Sequence, residues 1–175
     1  MKKLLLTALC VLCLGILCAA ADKDKDDSVV LKATLQGLNE TSGGGGPINT
    51  PATGSFKAII HPDGTINFTL TFANLTSNII FSHIHFGFPR ESGGVMIFLC
   101  GGDSQPACPT ATSATITGTI TAANVVAIPG QNVTAGDLVS ALRLIGQGAG
   151  YVNVHSVNFK GGEIRGQVHV SRDDD

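Results

Sequence analysis

Between Thr65 and Phe72 the chain alternates without a break: Ile66, Phe68, Leu70 and Phe72 are apolar, and Thr65, Asn67, Thr69 and Thr71 are polar. Successive side chains of a β-strand point to opposite faces. A period of two therefore puts four large apolar groups on one face, which another layer has to cover. Just before this run, Pro62-Asp63-Gly64 is a turn with a mechanism: Pro presets φ, and Asp and Gly accept the tight conformations that follow. The preceding segment, Gly54 to His61, carries Phe56, Ala58 and Ile60 on one face, so the two segments read as a hairpin.

The same reading extends along the chain. Strands are expected at Val29–Leu38, Ile79–Phe86, Gly94–Cys100, Ala114–Thr121, Tyr151–His155 and Glu163–Val170. The run Val95-Met96-Ile97-Phe98-Leu99 is apolar throughout and reads as a strand buried on both faces. Gly166, on the apolar face of the closing strand, points to a close backbone approach or a bend. One short helix is expected, opening at Thr134 as N-cap, with Leu138, Leu142 and Ile145 at helical spacing and Gly146 and Gly148 ending it. The expected fold class is all-β: a Greek-key-like sandwich or barrel of about eight strands with one short helix.

The ends constrain the compartment. Met1-Lys2-Lys3, an apolar run from Leu4 to Leu17 and Cys18-Ala19-Ala20-Ala21 read as a secretory signal peptide over residues 1–21. The run is short for a transmembrane helix. Cys10, Cys13 and Cys18 raise a lipid anchor as the competing reading, but leucines rather than small residues precede all three, which favours plain cleavage and secretion. Residues 22–28 read as an acidic linker, 29–170 as the β domain and 171–175 as an acidic tail. Losing Lys2 and Lys3 takes the formal charge from −2 to −4, and no basic stripe is present, so nucleic acid is excluded as a partner. An extracellular protein or an envelope polymer is the partner class that compartment and fold allow.

Cys100 and Cys108 are the two cysteines outside the signal segment. An even count in an exported chain, with Gly101, Gly102 and Pro106 between, points to a disulfide closing a tight loop. The sequons at Asn39, Asn67, Asn74 and Asn132 are uninformative in so threonine-rich a chain.

Chemistry-bearing residues concentrate on three strands. By alternation His83 and His85 share a face opposite Ile84 and Phe86, and Tyr151, Asn153 and His155 share one opposite Val152 and Val154. Glu163, Arg165 and Gln167 stand together opposite Ile164 and Val168 by the same count. No nucleophile pairs with these histidines: Ser82 and Ser156 fall on the other parity, and there is no G-x-S-x-G elbow. Gly43 to Gly46 lacks the Lys-Ser/Thr ending of a phosphate loop and reads as a linker.

Taken together, HIHFG at 83–87, GGVMIFL at 93–99, YVNVHS at 151–156 and GGEIRGQV at 161–168 resemble the CHRD domain, which is named for chordin and occurs in secreted proteins. The resemblance covers residues 29–170 and implies an extracellular β-rich domain without an assigned catalytic activity. The cysteine-rich growth-factor modules of chordin are missing from this sequence, so growth-factor antagonism is not implied. The His83-Ile84-His85-Phe86-Gly87 element is also similar to the copper strand of the copper/zinc superoxide dismutases. Phe88 to Gly93 supplies no ligand-rich loop of that family, so only a metal-competent histidine pair is implied.

Two functional readings follow. The first is a non-enzymatic, extracytoplasmic binding or structural module, in which the histidines join Tyr151, Asn153, Arg165 and Gln167 in a polar network across strands. The second is a copper- or zinc-binding protein, conceivably redox-active, with His83, His85 and His155 as ligands and Glu163 as fourth ligand or as the carboxylate orienting an imidazole.

Overall fold

The computed structural model describes residues 28–41, 46–102 and 105–171. The expected signal peptide, most of the acidic linker, the acidic tail after Ser171 and the core of the glycine linker lie outside the described residues. Nine strands form one antiparallel sheet: β1 (Val29–Gln36), β2 (Thr53–Ile60), β3 (Ile66–Ala73), β4 (Ile79–Phe86), β5 (Val95–Cys100), β6 (Ala114–Ile120), β7 (Gly150–Ser156), β8 (Ile164–Gln167) and β9 (His169–Ser171). Among the described residues a single α-helix, α1 (Leu138–Gly146), precedes β7. The sheet runs β5-β4-β7-β8-β1-β2-β3-β6, with β9 also paired to β1. It curls into a nearly closed barrel. The two edge strands are bridged by the segment after β6, through the Ile97–Val125 pair and a Val126 N–H to Met96 carbonyl bond of 3.0 Å.

The alternating run at Thr65–Phe72 is β3, and its apolar side is buried throughout. It meets Leu31, Ala33 and Leu35 of β1, Phe56 and Ala58 of β2, and Ile84, Val152, Val154 and Ile164 from the other half of the barrel in one core. The Pro62–Gly64 turn forms as expected: the Thr65 amide donates to the Asp63 side chain at 2.8 Å, and the His61 amide to the Thr65 carbonyl at 2.9 Å. Cys100 and Cys108 are joined by a disulfide.

Two expectations need correcting. The last strand breaks at Val168, which is buried and donates its N–H to Gly150 at the start of β7, while the residues after it pair with β1, so one expected strand becomes β8 and β9. The helix starts later than Thr134. Asp137 is the N-cap and accepts from the Ser140 amide at 3.0 Å, while Thr134 belongs to the turn before it. A carboxylate at this position also faces the positive end of the helix dipole.

Gly166 sits where β8 crosses closest to β1. A Cβ there would lie 2.4 Å from the Thr34 carbonyl oxygen, a contact with backbone that no rotamer relieves. Gly166→Ala is therefore expected to part β8 from β1 and cost about 1–3 kcal/mol, read as a lowered urea midpoint. Reducing the Cys100–Cys108 bond is expected to cost about 2 kcal/mol in the same assay.

Among the described residues no helix is long and apolar enough to cross a membrane.

Candidate metal centre

Strands β4 and β7 pair antiparallel, with His83 opposite Asn153, His85 opposite Tyr151 and Phe81 opposite His155. Their inward side chains, Ile84, Val152 and Val154, are sealed in the core. The outward side chains are the polar set. His83 and His155 are nevertheless only 5% and 7% exposed, because loops lie over this part of the barrel wall. The wall is thus buried on both faces, apolar inside and polar outside.

The three imidazoles converge. Ring centroids are 4.7 Å apart for His83–His85, 4.5 Å for His83–His155 and 6.2 Å for His85–His155. One ring nitrogen from each lies within 4.8 Å of the others. Two rings are oriented by main-chain carbonyls: His85 Nδ1 donates to Gly93 and His155 Nδ1 to Lys160, both at 2.9 Å. That fixes the tautomer and leaves a lone pair on each Nε2. His85 Nε2, His155 Nε2 and His83 Nδ1 are buried and have no hydrogen-bond partner. A buried polar atom without a partner costs about 1–3 kcal/mol, so three in one place call for an explanation.

The surroundings are apolar and aromatic. Phe98 meets His83 edge-on at 5.1 Å and Phe81 stacks over it at 6.4 Å. Tyr151 lies parallel to His85, with centroids 4.7 Å apart and planes 3° from each other, and the Arg165 guanidinium carbon sits 3.4 Å from the Tyr151 ring centre. The result is a column of imidazole, phenol and guanidinium. Gly93 grips it from the side, since its carbonyl takes His85 Nδ1 and its N–H donates to the Tyr151 oxygen at 3.2 Å. Only glycine fits there: a Cβ would collide with the Phe86 carbonyl at 1.7 Å.

Burial governs the protonation of this cluster. It pushes His83 down to about 2, helped by His155 and His85 beside it. His85 is pushed down to about 4 by burial, against the opposing pull of its Gly93 bond and with a further push from His155 and Arg165. His155 is lowered by burial, partly offset by its bond to Lys160. All three rings are neutral at pH 7 and available as ligands.

The other expected site residues divide. Arg165 is 2% exposed and ties down the covering loops, donating to Thr41 Oγ1 at 3.0 Å, to the Glu91 carbonyl at 2.8 Å and to the Phe88 carbonyl at 2.9 Å. Gln167 donates to the Gly87 and Gly148 carbonyls at 2.9 and 2.7 Å. Asn153 donates to Glu40 and, at 3.3 Å, to the Ile164 carbonyl. Of these four, Tyr151 stacks on His85 and Arg165 on Tyr151, while the bonds of Asn153 and Gln167 go to Glu40 and to main-chain carbonyls. Glu163 does not join the histidines. It sits in the turn just before β8, where strand alternation does not yet apply. Its buried carboxylate takes four hydrogen bonds, from Thr50 Oγ1, the Thr76 amide, Thr76 Oγ1 and Ser156 Oγ. Glu163 is therefore not placed to be a ligand or to orient an imidazole. His169 is on β9, exposed and paired across to Lys32, away from the cluster. The orienting carbonyls of Gly93 and Lys160 went unseen in the sequence, because a main-chain acceptor leaves no residue-type signal.

A pH dependence follows. The unfolded chain protonates these histidines near the ordinary value of 6.5, and the folded protein only at lower pH. The folded state thus binds fewer protons below pH 6.5, and stability is lost as the pH falls from about 6.5 towards about 4 for His85 and about 2 for His83. Each ring contributes at most about 1.4 kcal/mol per pH unit within its window. Urea unfolding of metal-free protein at pH 7.5, 6.0 and 5.0 should show a flat upper limb and a falling midpoint below 6.5. An unchanged midpoint down to pH 5 would mean that the rings are not held neutral by the fold.

Residues 31–168 match the CHRD domain. No curated protein and no solved structure matches the chain. With the match spanning most of the sequence and nearly all of the barrel, this chain belongs to the CHRD domain family.

Proposed function

We propose that this protein is an extracytoplasmic CHRD-domain binding module that holds one transition-metal ion on the outer wall of its barrel, with His83, His85 and His155 as ligands. The observation that carries this reading is the set of three buried nitrogens without partners, one on each ring, on rings that face one another. A polar network built for stability would use those atoms in hydrogen bonds, as the neighbouring Arg165 guanidinium uses its nitrogens. Two of the ligand rings are braced from behind by carbonyls, the usual support of a metal-bound imidazole. Imidazole nitrogens bind zinc at about 2.0–2.1 Å, which spaces ligands roughly 3–4 Å apart, so the cluster has to draw in by about 1 Å on loading. Three neutral nitrogens suit copper or zinc.

Family membership supports an extracellular setting, and the signal-like segment at residues 1–21 supports export. The arrangement offers no nucleophile or acid–base pair of its own. Ser82 Oγ donates to the Asn153 carbonyl on the core side, and Ser156 is occupied by Glu163. A binding role, with an extracellular protein or envelope polymer as partner, fits these residues better than hydrolysis.

Isothermal titration of metal-stripped protein with Cu(II) and Zn(II), and anaerobically with Cu(I), tests the centre. One equivalent of at least one ion should bind more tightly than micromolar. Losing a mere bracing group around a metal typically costs about 10–100-fold, so His83→Ala/His85→Ala, which removes two ligands, should weaken binding by about 100-fold or more. Its circular dichroism should stay native. Absence of saturable binding for all three ions would return the histidines to a purely structural role.

A further inference from the structure

Resting on that three-histidine centre, we propose that it selects a singly charged closed-shell ion, Cu(I), over the doubly charged Cu(II) and Zn(II). Ligand softness does not decide the matter, since imidazole suits copper and zinc alike. Charge does. The ligating group contains three neutral rings and no carboxylate or thiolate. Whatever charge the ion brings is therefore kept in full. The cost of placing an ion in a poorly polarisable interior rises with the square of its charge, so a divalent ion is penalised roughly four times as heavily as a monovalent one.

The nearby charges add to this difference. Arg165 is separated from His85 only by the Tyr151 ring, which sets a fixed positive charge beside that imidazole. The carboxylates stand outside the ligating group. Glu163 is engaged by Thr50, Thr76 and Ser156, and Glu40 is bound to Asn153. The charges of Glu40 and Glu91 are felt at Arg165. A doubly charged ion thus meets the same guanidinium with twice the repulsion.

Coordination number points the same way. Structural zinc takes four ligands and Cu(II) favours tetragonal sets, so each needs donors beyond the three rings. On the His83 side the cluster is covered by Phe98 and Phe81, which offer none. Cu(I) is satisfied by two or three nitrogens.

The test is competition on the metal-stripped full chain. Cu(I) is supplied anaerobically as its bicinchoninate complex, and Cu(II) and Zn(II) are titrated separately against chromophoric chelators of known affinity. The expected result is one Cu(I) per chain, held at least tenfold more tightly than either divalent ion. Each tenfold in the Cu(I)/Cu(II) ratio raises the potential of the bound copper by about 59 mV relative to the free ion. The variant His155→Asp, which supplies an anionic ligand, should narrow or invert the preference. The preference itself is read from the native chain and does not depend on that variant folding. Divalent binding as tight as Cu(I) binding would overturn the selectivity and leave the metal centre standing. Failure of all three ions to bind would remove the centre itself.

Discussion

The β4–β7 ladder sets both the barrel and the site. One register, with His83 opposite Asn153 and His85 opposite Tyr151, directs Ile84, Val152 and Val154 into the core and the imidazoles onto the outer wall. A slip of one residue would exchange the two sets and place histidines among aliphatic side chains. The burial of the inner face therefore holds the outer chemistry in register without any contact between the two.

An outer wall of polar groups is normally left to solvent. Here it lies under loops, and burying it demands hydrogen bonds. Main-chain carbonyls supply most of them. Those of Phe88, Glu91, Gly87 and Gly148 take Arg165 and Gln167, and those of Gly93 and Lys160 take two imidazoles. Arg165 reaches Thr41 before β2 as well as the turn after β4, so one guanidinium fastens loops that are far apart in the chain. Among the described residues four buried side-chain atoms have no hydrogen-bond partner, and three of them, besides Gln167 Oε1, are ring nitrogens on adjacent imidazoles. The same economy removes Glu163 from the site, because four donors at the barrel end already claim its oxygens.

Much of the fold was legible in the chain. The alternation at Ile66–Phe72, the Pro62–Gly64 turn and the parity of His83 with His85 and of Asn153 with His155 are local properties, and all survive into the structure. Gly166 was marked too, as a close backbone approach or a bend, and the structure shows the close approach. What misled was also local. Thr134 looked like a cap, but Asp137 is nearer the first helical turn and carries the stronger acceptor. Glu163 looked like a member of the strand that it only precedes. The closing strand looked continuous because Val168 keeps the apolar pattern, although the chain changes partner there, from β7 before it to β1 after it.

Sequence alone determined which side chains can share a face, because strand geometry repeats every two residues whatever the partner strand. It could not determine which strands are neighbours. That β4 and β7, about seventy residues apart, lie side by side is a consequence of closing the barrel, in which apolar faces from the whole chain are removed from water together. The meeting of His155 with His83 and His85, their cover by Phe81 and Phe98 and their orientation by two carbonyls belong to that closure, since each depends on backbone brought in from a distant segment.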